Sequence, residues 1–118
     1  MIPIFIRAYH APGEIRSNRI VAFSDAANGN DIAEATGASD VLIGVSDRMG
    51  AAAGGMCDVH RLGLAATLLG GAVSAGDPVS ADAEGRAVKA TTGRIIGYAD
   101  EPGAEGDIID VWLVQTSL

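Results

Sequence analysis

Apolar residues along this chain come in short runs that alternate with polar or small ones, and Gly, Asp, Asn and Pro interrupt them before any reaches the length of a stable helix. The pattern predicts short β-strands joined by turns. The clearest stretch, RIIGYADEPGAEGDIIDVWLV at residues 94–114, has an earlier echo in VLIGVSDRMGAAAGGMCDVHRL at residues 41–62. With a gap of one residue, Ile43-Gly44 matches Ile96-Gly97, Asp47 matches Asp100, Gly50-Ala51 matches Gly103-Ala104, Gly54 matches Gly106, and Asp58-Val59 matches Asp110-Val111. Each copy predicts a strand ending in Gly-x-small-Asp, a Gly/Ala-rich turn, and a second aliphatic strand around Asp-Val.

The echo extends backwards. Gly29 to Ile32 followed by Ala35-Thr36 parallels Gly85 to Val88 followed by Ala90-Thr91, and Ile20-Val21 parallels Pro78-Val79, with Asp25 and Asp82 opening the next loops. The expected architecture is all-β: a small β-barrel or sandwich built from two pseudo-repeated β-hairpin units, at about residues 20–65 and 76–115, in a single β-domain spanning 19–118. Residues 20–24 predict a strand and Asn28-Gly29 a two-residue hairpin turn. Residues 31–36 would also fit one helical turn, but their echo argues for a strand. RLGLAATLLGGAV at 61–73 is ambiguous between buried helix and strand; its three glycines favour a strand continuing from Val59 and then a loop. Gly76-Asp77 predicts a turn, Pro78 a strand's first residue, and residues 82–85 a tight turn. In the last strand, Ile109 and Val111 fall in register with Cys57 and Val59 on the inward parity. Asp110 and Trp112 then face outward with Asp58 and His60.

The leader, MIPIFIR and the dozen residues after it, is apolar, β-prone and then turn-rich, with Pro3 unsuited to the middle of a sheet. Neither half-repeat has a counterpart for it, which favours an extended N-terminal arm at 1–18; the alternative is a first strand at the edge of its own domain.

Composition narrows the function. At 118 residues the chain has the size of one ordinary domain, and with 4% aromatics its core must come from Val, Ile and Leu. The net charge is −7, but three arginines against Glu14 give the first nineteen residues +2, leaving −9 on the remainder. So acidic a body disfavours nucleic acid as a partner. No apolar stretch reaches the roughly 18 residues of a membrane span, and no signal-peptide pattern opens the chain, so synthesis in a cytoplasm is expected.

Candidate chemistry is thin. Asp58 and His60 would share a strand face but lack a third metal ligand. Cys57 and His60 would point to opposite faces, which excludes a nucleophile and base pair. GAAAGG and LLGG lack the Lys-Ser/Thr of a phosphate loop. No catalytic set, metal site or cofactor site emerges, and a structural role, not an enzyme, is expected. The competing class is a small-molecule binding β-module with a pocket between the half-repeats.

VLIGVSD, VSAGDPVSADAEGRAVKA and IIGYADEPGAEGDIIDVWLV resemble the head-decoration, or capsid cement, proteins of tailed bacteriophages, over roughly residues 20–115. The resemblance implies a virion protein on the outer surface of a phage capsid, made in the host bacterial cytoplasm, that stabilises the shell. It also implies a homo-oligomer, a trimer being favoured, with the major capsid protein as partner. On that reading Ile2, Pro3, Ile4, Phe5, Ile6 and Arg7 form a capsid-binding arm, and His60 and Trp112 are candidates for a subunit contact.

Overall fold

The computed structural model describes residues 2–117, so Met1 of the expected arm and Leu118 at the end of the expected domain lie outside the described residues. Among those described there are nine strands and no helix: β1 (Ile2–His10), β2 (Ile20–Phe23), β3 (Ile32–Glu34), β4 (Leu42–Ser46), β5 (Met56–Leu68), β6 (Pro78–Ala81), β7 (Ala87–Lys89), β8 (Arg94–Ala99) and β9 (Ile108–Ser117). They form one antiparallel sheet in the order β3-β2-β4-β5-β9-β8-β6-β7, with β1 paired to β5 beside this path. The all-β class is the one the alternating pattern requires. The ambiguous stretch after Val59 is strand as far as Leu68, and Pro78 opens β6.

Asn28-Gly29 does not make the expected two-residue hairpin. Phe23 pairs with Ile32, and the loop between them is closed by the Ser24 N–H donating to the Asp31 carbonyl at 3.1 Å. Asp25 Oδ1 accepts from the Ala27 N–H and Asn28 Oδ1 from the Asn30 N–H. These side chains satisfy their own neighbouring backbone, so the chain turns twice before pairing can resume.

The strand order reads alike from both ends when β2, β3, β4 and β5 are matched with β6, β7, β8 and β9. Register carries the match further. Ile6, Arg7, Ala8, Tyr9 and His10 oppose His60, Val59, Asp58, Cys57 and Met56; Leu64, Ala65, Ala66, Thr67 and Leu68 oppose Trp112, Val111, Asp110, Ile109 and Ile108. Since residues 56–60 align with 108–112, β1 lies on β5 as the end of β5 lies on β9. The leader therefore has a counterpart, contrary to expectation. It escaped the sequence because IRAYH and LAATL share only backbone geometry.

This also corrects the picture of a separate arm. Residues 2–10 are extended but bonded into the sheet, and Tyr9, Ala11 and Ile15 are enclosed in a cluster with Val21, Ile32, Ile43, Cys57 and Val59. The leader's basic residues turn inward as well. Arg7 donates to Asn30 Oδ1 at 3.0 Å and lies over the Tyr9 ring at 4.4 Å, Arg16 donates to both carboxylate oxygens of Glu34 at 2.8 and 3.0 Å, and Arg19 donates to the Glu84 carbonyl at 2.9 Å. An acidic body offers the leader's arginines partners nearer than any second molecule. Burial works against ionisation of Glu34, but bonds from the Arg16 guanidinium and backbone N–H prevail and hold its carboxyl below the usual range.

The second cluster lies between the halves. It joins Ile20, Ala22, Leu42 and Val45 to Val79, Ile96, Ile109, Val111 and Leu113, so the sheet is folded over with the second half lying on the first. Where β4 crosses β5 and β8 crosses β9 the backbones nearly touch. A Cβ on Gly44 would strike the His60 carbonyl, and one on Gly97 the Trp112 carbonyl.

Two consequences are measurable by chemical denaturation. Tyr9→Ala is expected to cost about 3–5 kcal/mol, the range for emptying a large buried side chain, whereas an exposed arm would give almost nothing. Gly97→Ala is expected to cost at least about 1–3 kcal/mol, because the collision is with backbone that cannot rotate away.

Candidate functional site

Residues directly opposite one another in antiparallel strands project from the same face of the sheet. Across the first half, Ile6, His60, Val45 and Ile20 are successive partners on β1, β5, β4 and β2. Across the second half, Leu64, Trp112, Tyr98 and Pro78 occupy the aligned places on β5, β9, β8 and β6. The two rows have opposite fates. Val45 and Ile20 are covered by the second half and His60 is only 4% exposed, whereas Trp112 is 57% exposed.

His60, expected outside beside Trp112, is therefore buried and unable to serve as a subunit contact. Alternation fixes that the two positions share a face, but the folding-over of the sheet makes that face interior at one end and surface at the other. Burial lowers the imidazole pKa below its usual value, while Asp47 and Asp58 act in the opposite direction.

Trp112 is joined by neighbours the sequence did not single out. The Tyr98 ring lies 6.1 Å away at a 50° tilt. Ile2, 67% exposed, is opposite Leu64 and carries the row onto β1, and Phe5 is opposite Leu62, both half exposed. Pro3 sits opposite Gly63, Ile4 falls at a shift in register and is the most exposed of the leader's described large hydrophobic side chains, Ile6 is half exposed at the rim, and Arg7 is tied back to Tyr9 and Asn30. The leader and Trp112, read separately in the sequence, thus belong to one apolar face crossing β1, β5, β9 and β8. The missing signal was pairing register, because Leu62, Leu64 and Tyr98 look like ordinary strand residues.

Two open clefts lie on this face: one of about 370 Å³ lined by Gly76, Tyr98, Ala99, Asp100 and Trp112, and one of about 230 Å³ lined by Phe5, Arg61, Leu62 and Gln115. Between the halves, where a ligand pocket was the competing expectation, the apolar cluster fills the core and leaves an open cleft of about 240 Å³ lined by Val41, Leu42, Arg94, Ile95, Gln115, Thr116 and Ser117. Cys57 is enclosed, and its thiol is pushed up to about 11, chiefly by burial and also by Asp47 and Asp58. It is held as the unreactive thiol. Among the described residues no group of three or more His, Cys, Asp and Glu is placed to hold a metal ion.

The model of the phage cement protein family matches residues 6–114. The chain belongs to that family. A solved structure, the head fiber gp8.5 N base in bacteriophage phi29, shares the fold with a TM-score of 0.75 at 18% identity, covering 97% of each chain. No protein of curated function matches. Family membership puts this cement-family protein among the structural components of phage capsids.

The buried imidazole gives a pH dependence. Its folded pKa lies below the ordinary 6.5, so stability is at its full value above pH 6.5. Stability is lost as pH falls and the unfolded chain takes up a proton that the folded one resists. Urea titrations from pH 7.5 to 5 should show this decline in the parent, and His60→Gln should flatten it.

Proposed function

We propose that this protein binds the outer surface of a phage capsid and stabilises the assembled shell, with no catalytic role. The observation that carries this reading is the continuous apolar face from Ile2 and Phe5 through Leu62 and Leu64 to Trp112 and Tyr98, on a chain of the phage cement family. Contiguous exposed apolar surface on an acidic body is what an adhesive contact needs.

The partner is the major capsid protein. Ile2, Pro3, Ile4, Phe5, Ile6 and Arg7 form the docking element within a leader at 1–18, the body at 19–118 carries it, and Arg7 acts by tying β1 to Asn30. Beyond its ladder with β5, β1 makes only the parallel bridge from His10 to Asp31 among the described residues. Its remaining edge can add a strand, with main-chain hydrogen bonds for affinity and alternate side chains for fit. Trp112 lies at a contact between copies in a homo-oligomer, with a trimer favoured. Many copies on a symmetric lattice need only modest affinity each. The protein is made in the host bacterial cytoplasm and resides on the virion, with neither nucleic acid nor membrane as partner.

Removing residues 1–18 would not test this, because it also removes buried Tyr9, Ala11 and Ile15. Ile4→Asp and Phe5→Lys change only exposed side chains. Both variants should keep the parent's circular dichroism and melting curve yet fail to co-sediment with expanded, undecorated capsids. Capsid coating at parental levels by both would remove the leader from the contact.

A further inference from the structure

The two halves act as internal controls for each other, and one difference between them remains unexplained by packing. In the first half Asp47 Oδ1 accepts from the N–H groups of Met49 and Gly50, at 3.0 and 3.2 Å, and so closes its own loop. The aligned carboxylate is Asp100, and the residue aligned with Met49 is Pro102, which has no N–H to give. The second loop is closed instead by Asp107 Oδ2, which accepts from the Ala104 N–H at 2.9 Å. Among the described residues nothing donates to the Asp100 side chain, and it stands at the lip of the cleft of about 370 Å³ beside Tyr98 and Trp112. The aligned places in the first half hold Val45 and His60, and both are buried.

We propose that this cleft binds an arginine side chain presented by a partner protein, the guanidinium stacking on Trp112 against Tyr98 while its N–H groups donate to Asp100. None of the residues lining the cleft is basic, and two further acids adjoin it. Asp77 follows Gly76, and its carbonyl accepts from the Ala99 N–H at 2.9 Å; Glu101 follows Asp100. Aromatic faces in a negative field favour a cation over a neutral ring, and a planar guanidinium can stack and donate at once where an ammonium cannot. The chain displays the same stacking internally, with Arg7 4.4 Å from the centre of the Tyr9 ring. The cleft lies on the apolar face proposed above as a contact surface, so naming a partner protein rests on that reading, while the choice of arginine rests on the cleft's own geometry.

Trp112 is the single tryptophan and therefore its own reporter. The intact protein is titrated at low ionic strength with a capped arginine dipeptide, the lysine equivalent and methyl glucoside, following tryptophan emission. Expected are a saturable change with the arginine probe that fades as salt is added, several-fold weaker binding of the lysine probe, and none of the sugar. Asp100→Asn should weaken the arginine probe about tenfold, the scale of one charged contact. Pro102→Ala, which restores an N–H able to engage Asp100, should weaken it in the same direction, with melting curves of both variants confirming the fold. Saturation by methyl glucoside as tight as by arginine, unchanged arginine binding in Asp100→Asn, or no saturable signal from any probe would each overturn the proposal. Capsid co-sedimentation of the parent is scored separately, so failure here is distinguishable from failure of the attachment reading.

Discussion

Everything in this molecule is tied to the burial of one face of β5. Cys57, Val59, Ala65 and Thr67, followed by Leu69 just beyond the strand, are all fully enclosed; Cys57 and Val59 belong to the leader's cluster, and Ala65 and Leu69 to the cluster between the halves. Thr67 is tolerated there because its hydroxyl donates to the Ala65 carbonyl at 3.0 Å, leaving no buried donor unmet. A single strand thus supplies core to both halves and takes β1 and β4 at its start and β9 at its end. Neither half can shift its register without turning these side chains to solvent.

From that constraint the rest follows. Because β5 runs through both units, the second half is carried over the first, and the face bearing His60, Val45 and Ile20 becomes interior. The same face on the second half, bearing Trp112, Tyr98 and Pro78, is left on the outside, with Trp112 57% exposed. The leader closes the other end by the same geometry, with Tyr9, Ala11 and Ile15 where Thr67, Leu69 and Val73 stand in the second half.

The acidic character has a local as well as a global part. Most turn carboxylates bond to neighbouring backbone N–H groups, as at Asp25, Asp47, Asp77, Asp82 and Asp107, and these fix loop geometry. The leader's arginines, which look like an unattached basic patch in the sequence, are engaged within the chain, Arg16 by the Glu34 carboxylate and Arg7 and Arg19 by amide and carbonyl oxygens of the loops they bridge. The Asp100 carboxylate, aligned with Asp47, accepts no such bond among the described residues, because Pro102 stands where Met49 supplies its N–H in the first half.

The sequence by itself determined the all-β class, most strand positions, the paired Gly44 and Gly97, the inward parity of Cys57, Val59, Ile109 and Val111, and the family. Those features depend on period-two alternation and on turn residues, which are local. It did not determine which side of the sheet would be inside, so His60 was misplaced while Trp112, on the same parity, was not. Nor did it show that the leader pairs with β5, because backbone pairing leaves no mark on side-chain identity. Leu62, Leu64, Tyr98, Ile2 and Phe5 become one surface only through register across four strands. That register is set by how the sheet folds over its core, a decision made by the tertiary structure and by no short stretch of the chain.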